Sequence, residues 1–295
     1  MSGDRESALT WRQKSFAMLQ YFLPQIAMTR GVGWLMQREQ PWLKNLLINN
    51  FIKLFKVDTQ ELDAAAPDAY ASLNAFFIRE LAADARPIDA DPDSLTSPAD
   101  GVVSASGSIK DGMVIQAKGF TYSATDLLGN AELAERFNGG VFATIYLAPY
   151  NYHRVHTPVA GEVVEHRHIP GKLFSVNGAT ARAVPKLFSR NERRVFDLAG
   201  THGHSALVMV GALNVGSIST VWDGYVAAGS KPVAIRMALP PEPFAKGATV
   251  GWFNMGSTVI MLFEAGAARW HDDFAAGAIV RVGQPIGRLT PNANR

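Results

Sequence analysis

The chain has 295 residues, a formal net charge of +2 and an apolar content of 47%, which place it among folded globular proteins and exclude a disordered chain. It contains no cysteine, so disulfides, thiolate nucleophiles and zinc sites built on thiolates are excluded, and a reducing compartment fits the composition. A net charge near zero does not favour nucleic acid as a partner. The N-terminal residues lack the apolar segment of a secretory signal, and no run of about 18 apolar residues predicts a membrane-spanning helix.

Residues 8–56 are predicted to be helical and carry much of the basic charge. Eight Lys or Arg against three Asp or Glu give residues 1–56 a net charge of +5, so the remainder carries 2 − 5 = −3. The clearest helix spans residues 41–56, where Leu43, Leu47 and Phe51 recur at helical spacing. A basic amphipathic helix is typical of a membrane interface, but the same periodicity also fits a helix that covers a β core. Periodicity leaves both interpretations open.

The helical region is predicted to end at residue 89. A further helix is expected over residues 70–81, and the polar, Pro-containing stretch 83–94 is the best candidate for a domain boundary. We therefore divide the chain into a helical, membrane-docking region, 1–89, and a β-rich catalytic domain, 90–295. The fold class is α+β.

Short apolar and β-branched runs separated by Gly, Pro and Asn predict a β-rich domain after Leu95. The stretches 97–106 and 157–166 share the frame P-x-x-G-x-V, and 275–289 has the turn-and-strand pattern of biotinyl or lipoyl carrier domains. These features fit a barrel-sandwich of small twisted strands, preceded by the N-terminal helices. One helical insertion is expected, over residues 123–137.

The stretch 252–263, WFNMGSTVIMLF, has a small polar step inside an apolar run. This pattern predicts a buried strand interrupted by a bulge or a sharp bend. Ser257 and Thr258 could simply bond to nearby backbone. Alternatively, Ser257 is a nucleophile that attacks the carbonyl carbon of Gly256. A serine hydroxyl needs a base and an orienting carboxylate for that reaction.

Two other stretches could supply the base and the carboxylate. SPADG at 97–101 contains Asp100, and YHRVHTP at 152–158 contains His153 and His156. A metal-dependent β-barrel enzyme is the alternative function, because His166 with His168, and His202 with His204, are paired at strand spacing. Glu162 or Glu165 could complete such a metal site.

Several motifs together resemble the phosphatidylserine decarboxylase family, in the same order and over nearly the whole chain after residue 70. They are SPADG, YHRVHTP, LFSVN at 173–177, VPKLFSRNERRV at 184–195, VGALNVGSI at 210–218 and KGATVGWFNMGSTVIMLF at 246–263. One departure is Met255, where many members have Leu. These side chains are close in volume and apolarity, so we expect no change in chemistry.

The resemblance implies a proenzyme that cuts itself between Gly256 and Ser257 and converts Ser257 into a covalent pyruvoyl group, the only cofactor. The expected products are a large subunit, 1–256, and a small subunit, 257–295. This pair of subunits could assemble further into a homo-oligomer. We assign Asp100 and His156 to activation of Ser257, and His153, with His156 as the alternative, to protonation of the product. The resemblance also suggests that residues 191–194 shape the site.

The expected reaction is decarboxylation of phosphatidylserine to phosphatidylethanolamine, with no metal ion. A ketone of this kind can act as the electron sink that pyridoxal phosphate provides in other enzymes. Since this substrate resides in a bilayer, the resemblance favours the membrane interpretation of the N-terminal helices. The expected location is the cytoplasmic side of the cell membrane, as a peripheral protein on anionic lipid.

Overall fold

The computed structural model describes residues 9–117, 120–213, 217–224, 226, 229–236, 243–254 and 257–290. Within them, helices precede a mostly antiparallel β-rich domain, which confirms the α+β prediction. The helices are α1 (Trp11–Leu19), α2 (Gln25–Met36), α3 (Pro41–Phe55), α4 (Leu73–Phe77), α5 (Ala124–Leu128), α6 (Ala131–Glu135), α7 (Gly178–Ala181) and α8 (Leu187–Arg190). The strands are β1 (Ser94–Thr96), β2 (Gly101–Ser108), β3 (Met113–Ala117), β4 (Phe120–Ser123), β5 (Val141–Leu147), β6 (Arg154–His156), β7 (Gly161–Ile169), β8 (Arg193–Gly200), β9 (Gly203–Val210), β10 (Ile218–Thr220), β11 (Val233–Arg236), β12 (Pro243–Phe244), β13 (Thr249–Phe253), β14 (Ser257–Phe263), β15 (Ala268–Trp270), β16 (Ile279–Val280) and β17 (Pro285–Leu289).

The largest sheet has the order β11-β7-β8-β9-β14-β5-β2-β16, with β12 also paired to β7. It is an open path through the described strands rather than a closed barrel. Two smaller sheets, β10-β13-β6 and β1-β17-β15, pack with it around one large apolar core. Strand β14 lies in the interior of the large sheet between β5 and β9, and all seven of its residues are buried.

The repeated frame P-x-x-G-x-V marks the starts of two equivalent strands. Strand β2 begins at Gly101 and β7 at Gly161. A Cβ atom at Gly101 would lie 2.3 Å from the carbonyl oxygen of Tyr146, and one at Gly161 would lie 2.3 Å from that of Ala199. Neither position has room for a side chain, so each glycine allows the neighbouring strand to approach closely.

Helix α3 has a buried face and an exposed apolar face. Ile48 and Phe51 are buried with Phe76 and Phe77 in a small second core. On its outer side, a ridge of Trp42, Leu46 and Leu54, which we call the α3 ridge, is 71%, 53% and 74% exposed. The helix therefore covers a core and also presents an unpartnered apolar surface, so the two sequence interpretations are compatible.

The predicted helix over residues 70–81 is wrong in its length, since α4 has only five residues. Ser72 caps its first turn by accepting a hydrogen bond from Ala75 N at 3.1 Å. After α4 the chain turns, and Leu81 forms a bridge with Leu62 in extended conformation. The insertion at 123–137 is confirmed as helical but is divided into α5 and α6 by Gly129. None of the helices in the described ranges has both the length and the apolar character that a bilayer span requires.

Candidate active site

Ser257 is the first residue of β14, directly opposite Leu147 of β5. Its side chain is fully buried, and its Oγ atom makes no hydrogen bond to any described residue. Leaving a buried hydroxyl unpaired costs about 1–3 kcal/mol, so such a group is rare in a folded protein and calls for an explanation. The local bonding that the sequence offered as the alternative is not found for this hydroxyl. Thr258 Oγ1 is unpaired in the same way.

The chain changes sheets immediately before Ser257. Strand β13 pairs with β6 and β10, whereas β14 pairs with β5 and β9. The interruption predicted at this point is therefore present between Phe253 and Ser257. Met255 and Gly256, and with Gly256 half of the predicted cleavage bond, lie outside the described residues.

His156 is held by the carbonyl group of Gly247, whose oxygen lies 2.8 Å from Nδ1. Because a carbonyl oxygen can only accept, Nδ1 carries the proton and Nε2 keeps its lone pair. Nε2 is buried and has no hydrogen-bond partner among the described residues. Burial lowers the pKa of His156, so the ring rests in the neutral form that a general base requires.

His153 stacks on Phe77 with ring centroids 4.0 Å apart and is fully buried. Burial lowers the pKa of His153 to about 3, the positive charge of Arg79 adds to this shift, and the carbonyl groups of Pro149 and Ala148 oppose it only in part. Neither ring nitrogen makes a well-aligned hydrogen bond within the described ranges. His153 is therefore neutral near pH 7 and must take up a proton before it can act as an acid.

The histidines and the start of β14 belong to one small region. Phe253 N donates to the carbonyl oxygen of His153 at 3.1 Å, and Thr249 is the register partner of His156. Ser257 follows Phe253 by four residues, which places their Cα atoms at most about 15 Å apart. Three side chains, each with a buried polar atom that has no partner among the described residues, therefore lie near the point where the chain passes between the sheets.

Asp100 is bound by Arg86 rather than by His156. Arg86 Nε lies 3.0 Å from Asp100 Oδ1, its Nη2 lies 2.7 Å from Oδ2, and Val282 N donates to Oδ1 at 2.8 Å. Arg86 also binds Glu61 at 2.8 Å. The SPADG segment still reaches the histidine strand, because His156 N donates to the carbonyl oxygen of Pro98 at 2.9 Å. Gly247 thus occupies the orienting position that the sequence analysis gave to Asp100, whose negative charge acts on His156 only through space.

We expect Arg86→Gln to destabilise the protein by about 3–5 kcal/mol, the usual cost of removing one partner of a buried ion pair. The side chains of Arg86 and its partner Asp100 are nearly enclosed, with exposures of 11% and 5%. The matched control is Arg281→Gln, because Arg281 binds the same Glu61 from the surface and is 60% exposed. Its loss should cost less than about 1 kcal/mol. Urea unfolding of both variants measures this difference. Equal losses in the free energy of unfolding would show that the buried Arg86–Asp100 pair stabilises the protein no more than the exposed Arg281–Glu61 pair.

An apolar cavity of about 230 Å³ adjoins the start of β14. Its wall includes Leu147, the register partner of Ser257, and Phe77, which stacks on His153. The LFSVN and VGAL motifs, helix α3 and the end of β5 with the residues after it supply the rest of the lining, namely Phe51, Phe55, Tyr146, Pro149, Ser175, Val176, Asn177, Ala212 and Leu213. We call this space the β14 cavity. It brings together motifs that are far apart in sequence.

Two asparagines connect the motifs around this cavity. The side-chain oxygen of Asn191 accepts a hydrogen bond from Phe174 N at 3.0 Å. Its amide nitrogen donates to Phe174 O and to Gly211 O, each at 2.8 Å. Asn254 donates to Ser217 O at 3.2 Å and accepts from Asn74 of α4 at 3.3 Å. The first of these asparagines supports the expectation that residues 191–194 shape the site. The role of Asn254 was not foreseen, although its place beside the GST step was a usable signal.

The paired histidines of the alternative function have other partners. His168 Nε2 lies 3.2 Å from Glu192, His204 Nδ1 lies 2.8 Å from Asp197, and His166 stacks on Trp222 with centroids 5.1 Å apart. His202 precedes β9 and is not on a strand, so its predicted pairing with His204 at strand spacing is wrong. Within the described ranges, no group of three His, Asp or Glu side chains is arranged to hold a metal ion. The metal-dependent alternative is therefore not favoured.

Comparisons with known proteins agree with the motif pattern. A family model described as phosphatidylserine decarboxylase matches residues 73–288, more than half of the chain, and a second, described as PSD, matches residues 15–56. A phosphatidylserine decarboxylase proenzyme of Azotobacter vinelandii is 46% identical over 284 residues, covering 95% of this chain and 99% of the relative. Proteins with the same name from Alcanivorax borkumensis and Alkalilimnicola ehrlichii are 45% and 48% identical, covering 97% and 87% of this chain and 100% and 91% of their own lengths.

Proposed function

The chain belongs to the phosphatidylserine decarboxylase family, and from this membership and the site geometry we propose that it decarboxylates phosphatidylserine after cutting itself at Gly256–Ser257. The observation that carries the proposal is the Ser257 hydroxyl, which is buried without a partner among the described residues and lies opposite Leu147, a residue of the β14 cavity wall. A structural serine on an interior strand would bond locally. An unpaired hydroxyl at the start of β14 instead fits a side chain that acts as a nucleophile.

Self-cleavage begins with His156, whose unprotonated Nε2 takes the Ser257 proton. The Ser257 oxygen attacks the Gly256 carbonyl carbon, and the peptide bond is replaced by an ester. Removal of the Ser257 α-proton then expels the Gly256 carboxylate and leaves dehydroalanine. Addition of one water releases ammonia and leaves the pyruvoyl group at the start of the small subunit. Asp100, held by Arg86 and Val282, contributes a fixed negative charge that favours protonated His156 during attack.

The residues around Ser257 fit a pyruvoyl group. Its precursor hydroxyl forms no hydrogen bond to the described residues that conversion would break, and the cavity wall of Leu147 and Phe77 is apolar. When present, the group supplies a ketone that condenses with an amine and withdraws electrons as carbon dioxide leaves. The β14 cavity receives the substrate headgroup and excludes water from the reacting carbon. His153, neutral at rest, accepts a proton and returns one to the product carbon.

The activity is tested by incubating purified protein with phosphatidylserine and measuring phosphatidylethanolamine and carbon dioxide. Prior reduction with borohydride should abolish product formation, because it removes the ketone, whereas a metal chelator should leave the rate unchanged. Full activity after borohydride would contradict a pyruvoyl mechanism. Loss of activity on chelation would instead support the metal-dependent alternative.

We also propose that the N-terminal helices hold the protein on the cytoplasmic face of the cell membrane. The described large apolar side chains that are exposed number nineteen, and thirteen of them lie between Trp11 and Leu54. Two residues of α3, Phe51 and Phe55, line the β14 cavity while the α3 ridge faces outward. The same helix thus connects a surface suited to lipid with the cavity where a lipid headgroup must react. The pair of subunits could assemble further into a homo-oligomer.

Replacing Trp42, Leu46 and Leu54 with Ser should lower binding to vesicles that contain phosphatidylserine at least about tenfold, because apolar area no longer leaves water on docking. Self-cleavage should be unaffected, since these side chains are outside both cores. The control replaces Ile115, Val221 and Val233, which are 46%, 47% and 45% exposed elsewhere on the surface. Vesicle sedimentation measures both variants. Wild-type binding by the α3 variant would place the membrane contact on another surface.

A further inference from the structure

A second cavity, of about 570 Å³, lies between the α1–α2 turn and the β domain. Its lining includes the cationic side chains of Arg30, Lys172 and Arg190, and none of the described lining residues is acidic. We call it the basic cavity. Its described lining residues include none of those that line the β14 cavity, so it is a separate site and has no part in the reaction described above.

Arg190 is held in a fixed orientation within the basic cavity. Its guanidinium carbon lies 5.2 Å from the ring centroids of both Tyr21 and Phe174, and Nη1 donates to the Tyr21 hydroxyl at 3.2 Å. A guanidinium group has five N–H donors. That bond is the one side-chain hydrogen bond that Arg190 makes to the described residues. A preoriented guanidinium with remaining donors is suited to the oxygens of a phosphate group.

The turn between α1 and α2 gives the basic cavity an apolar side, which we call its apolar mouth. Leu23, Pro24 and Ile26 line the cavity there, Ile26 is 37% exposed, and Phe22, the neighbour of Leu23 in the chain, is 81% exposed. A free phosphate ion would gain nothing from these apolar side chains. A phospholipid would place its phosphate among the cations and its acyl chains against the apolar mouth.

The turn that forms this mouth is fixed to the β domain. Gln25 Oε1 accepts a hydrogen bond from Leu173 N at 2.8 Å, and Gln20 Oε1 accepts one from Ser175 N at 2.7 Å. The segment 172–177 therefore has Lys172 and Phe174 at the basic cavity and Ser175, Val176 and Asn177 at the β14 cavity. A lipid bound in the basic cavity would therefore contact the same segment, 172–177, that lines the β14 cavity.

From this arrangement we propose that the basic cavity binds the headgroup of an anionic phospholipid that is not undergoing reaction. Charge complementarity selects the anionic phosphate, and the apolar mouth selects a lipid over an inorganic ion. The bound lipid holds the α1–α2 turn at the membrane surface, so that the adjacent β14 cavity opens toward the bilayer that supplies the substrate.

The test measures binding of monomeric dihexanoyl phosphatidylglycerol by calorimetry. Replacing Arg30 and Lys172 with Gln should weaken binding about tenfold or more, because both cations act on the same phosphate. The matched control replaces Lys110 and Arg136, two exposed cations elsewhere, and changes the net charge equally. It should bind as the wild type does. Equal weakening of both variants would overturn the proposal by showing that only net charge matters.

Two further measurements distinguish the proposed lipid site from its alternatives, an inorganic ion site and lipid binding in the β14 cavity. Inorganic phosphate that binds as tightly as the lipid, and competes with it, would show an ion site and overturn the lipid assignment. Ser257→Ala, which removes the nucleophile, should bind dihexanoyl phosphatidylglycerol as the wild type does. Loss of binding in that variant would place the lipid in the β14 cavity and refute a second site. Retained binding by a protein that fails to decarboxylate would leave this inference intact and refute only the proposed function.

Discussion

Ser257→Ala should give a single uncut chain whose decarboxylation rate is lower by at least about a thousandfold, because the proposed mechanism makes Ser257 both the nucleophile and the precursor of the reactive ketone. The fold should survive. Ser257 Oγ has no described hydrogen-bond partner, so its removal leaves no other group unsatisfied and should change the free energy of unfolding by less than about 1 kcal/mol. Electrophoresis, activity and urea unfolding measure the three effects.

The matched control for Ser257 is Thr144→Val in the neighbouring strand β5. Thr144 is fully buried opposite Ile260, and its hydroxyl also makes no well-aligned hydrogen bond to the described residues. The valine variant should cut itself and decarboxylate as the wild type does. Decarboxylation by the Ser257→Ala chain, or loss of cleavage in the control, would contradict a specific role for Ser257.

Substitution of the two histidines should affect different stages, self-cleavage for His156 and decarboxylation for His153. His156→Gln keeps a hydrogen-bond donor for Gly247 O but loses the basic nitrogen, and it should slow self-cleavage by about 10²–10⁴-fold, the usual contribution of a general base. His153→Phe keeps a ring against Phe77 but loses both nitrogens. It should cut itself substantially and then lose decarboxylation by a similar factor.

The time course of chain cleavage and the specific activity of the cleaved fraction distinguish these stages. Asp100→Asn should change self-cleavage in the same direction as His156→Gln, because in the proposed mechanism the Asp100 charge favours protonated His156 through space. If the two histidine variants slowed cleavage equally, the division between His156 and His153 would be wrong. Full decarboxylation by cleaved His153→Phe would transfer the acid role to another group, of which His156 is the first candidate.

The sequence predicted those features that depend on local pattern. Helix α3 follows from a Pro at its first position and apolar residues at helical spacing, and β14 follows from its apolar, β-branched run. The interruption before Ser257 was readable because glycine and hydroxyl residues rarely occupy an interior strand without a reason. The order of separate motifs identified the family, which the comparisons confirm.

Long-range partners could not be predicted, because they depend on which segments fold together. Arg86 lies in a stretch whose polar, Pro-containing composition predicts a connection between domains, yet it binds Asp100 in a nearly enclosed ion pair. The Gly247 carbonyl that fixes the His156 tautomer is a backbone group with no sequence signature. Helix α4 is shorter than its sequence pattern predicts, because the pairing of Leu81 with Leu62 places the end of that pattern in extended conformation.

Intact mass measurement of freshly purified wild-type protein tests the central claim most directly. The account predicts two chains, residues 1–256 and 257–295, and since 295 − 256 = 39 the smaller has 39 residues. The smaller chain should be lighter, by the mass of one ammonia, than a fragment that begins with serine. A single intact chain with full decarboxylase activity, or an active small fragment that begins with unmodified Ser257, would contradict the account.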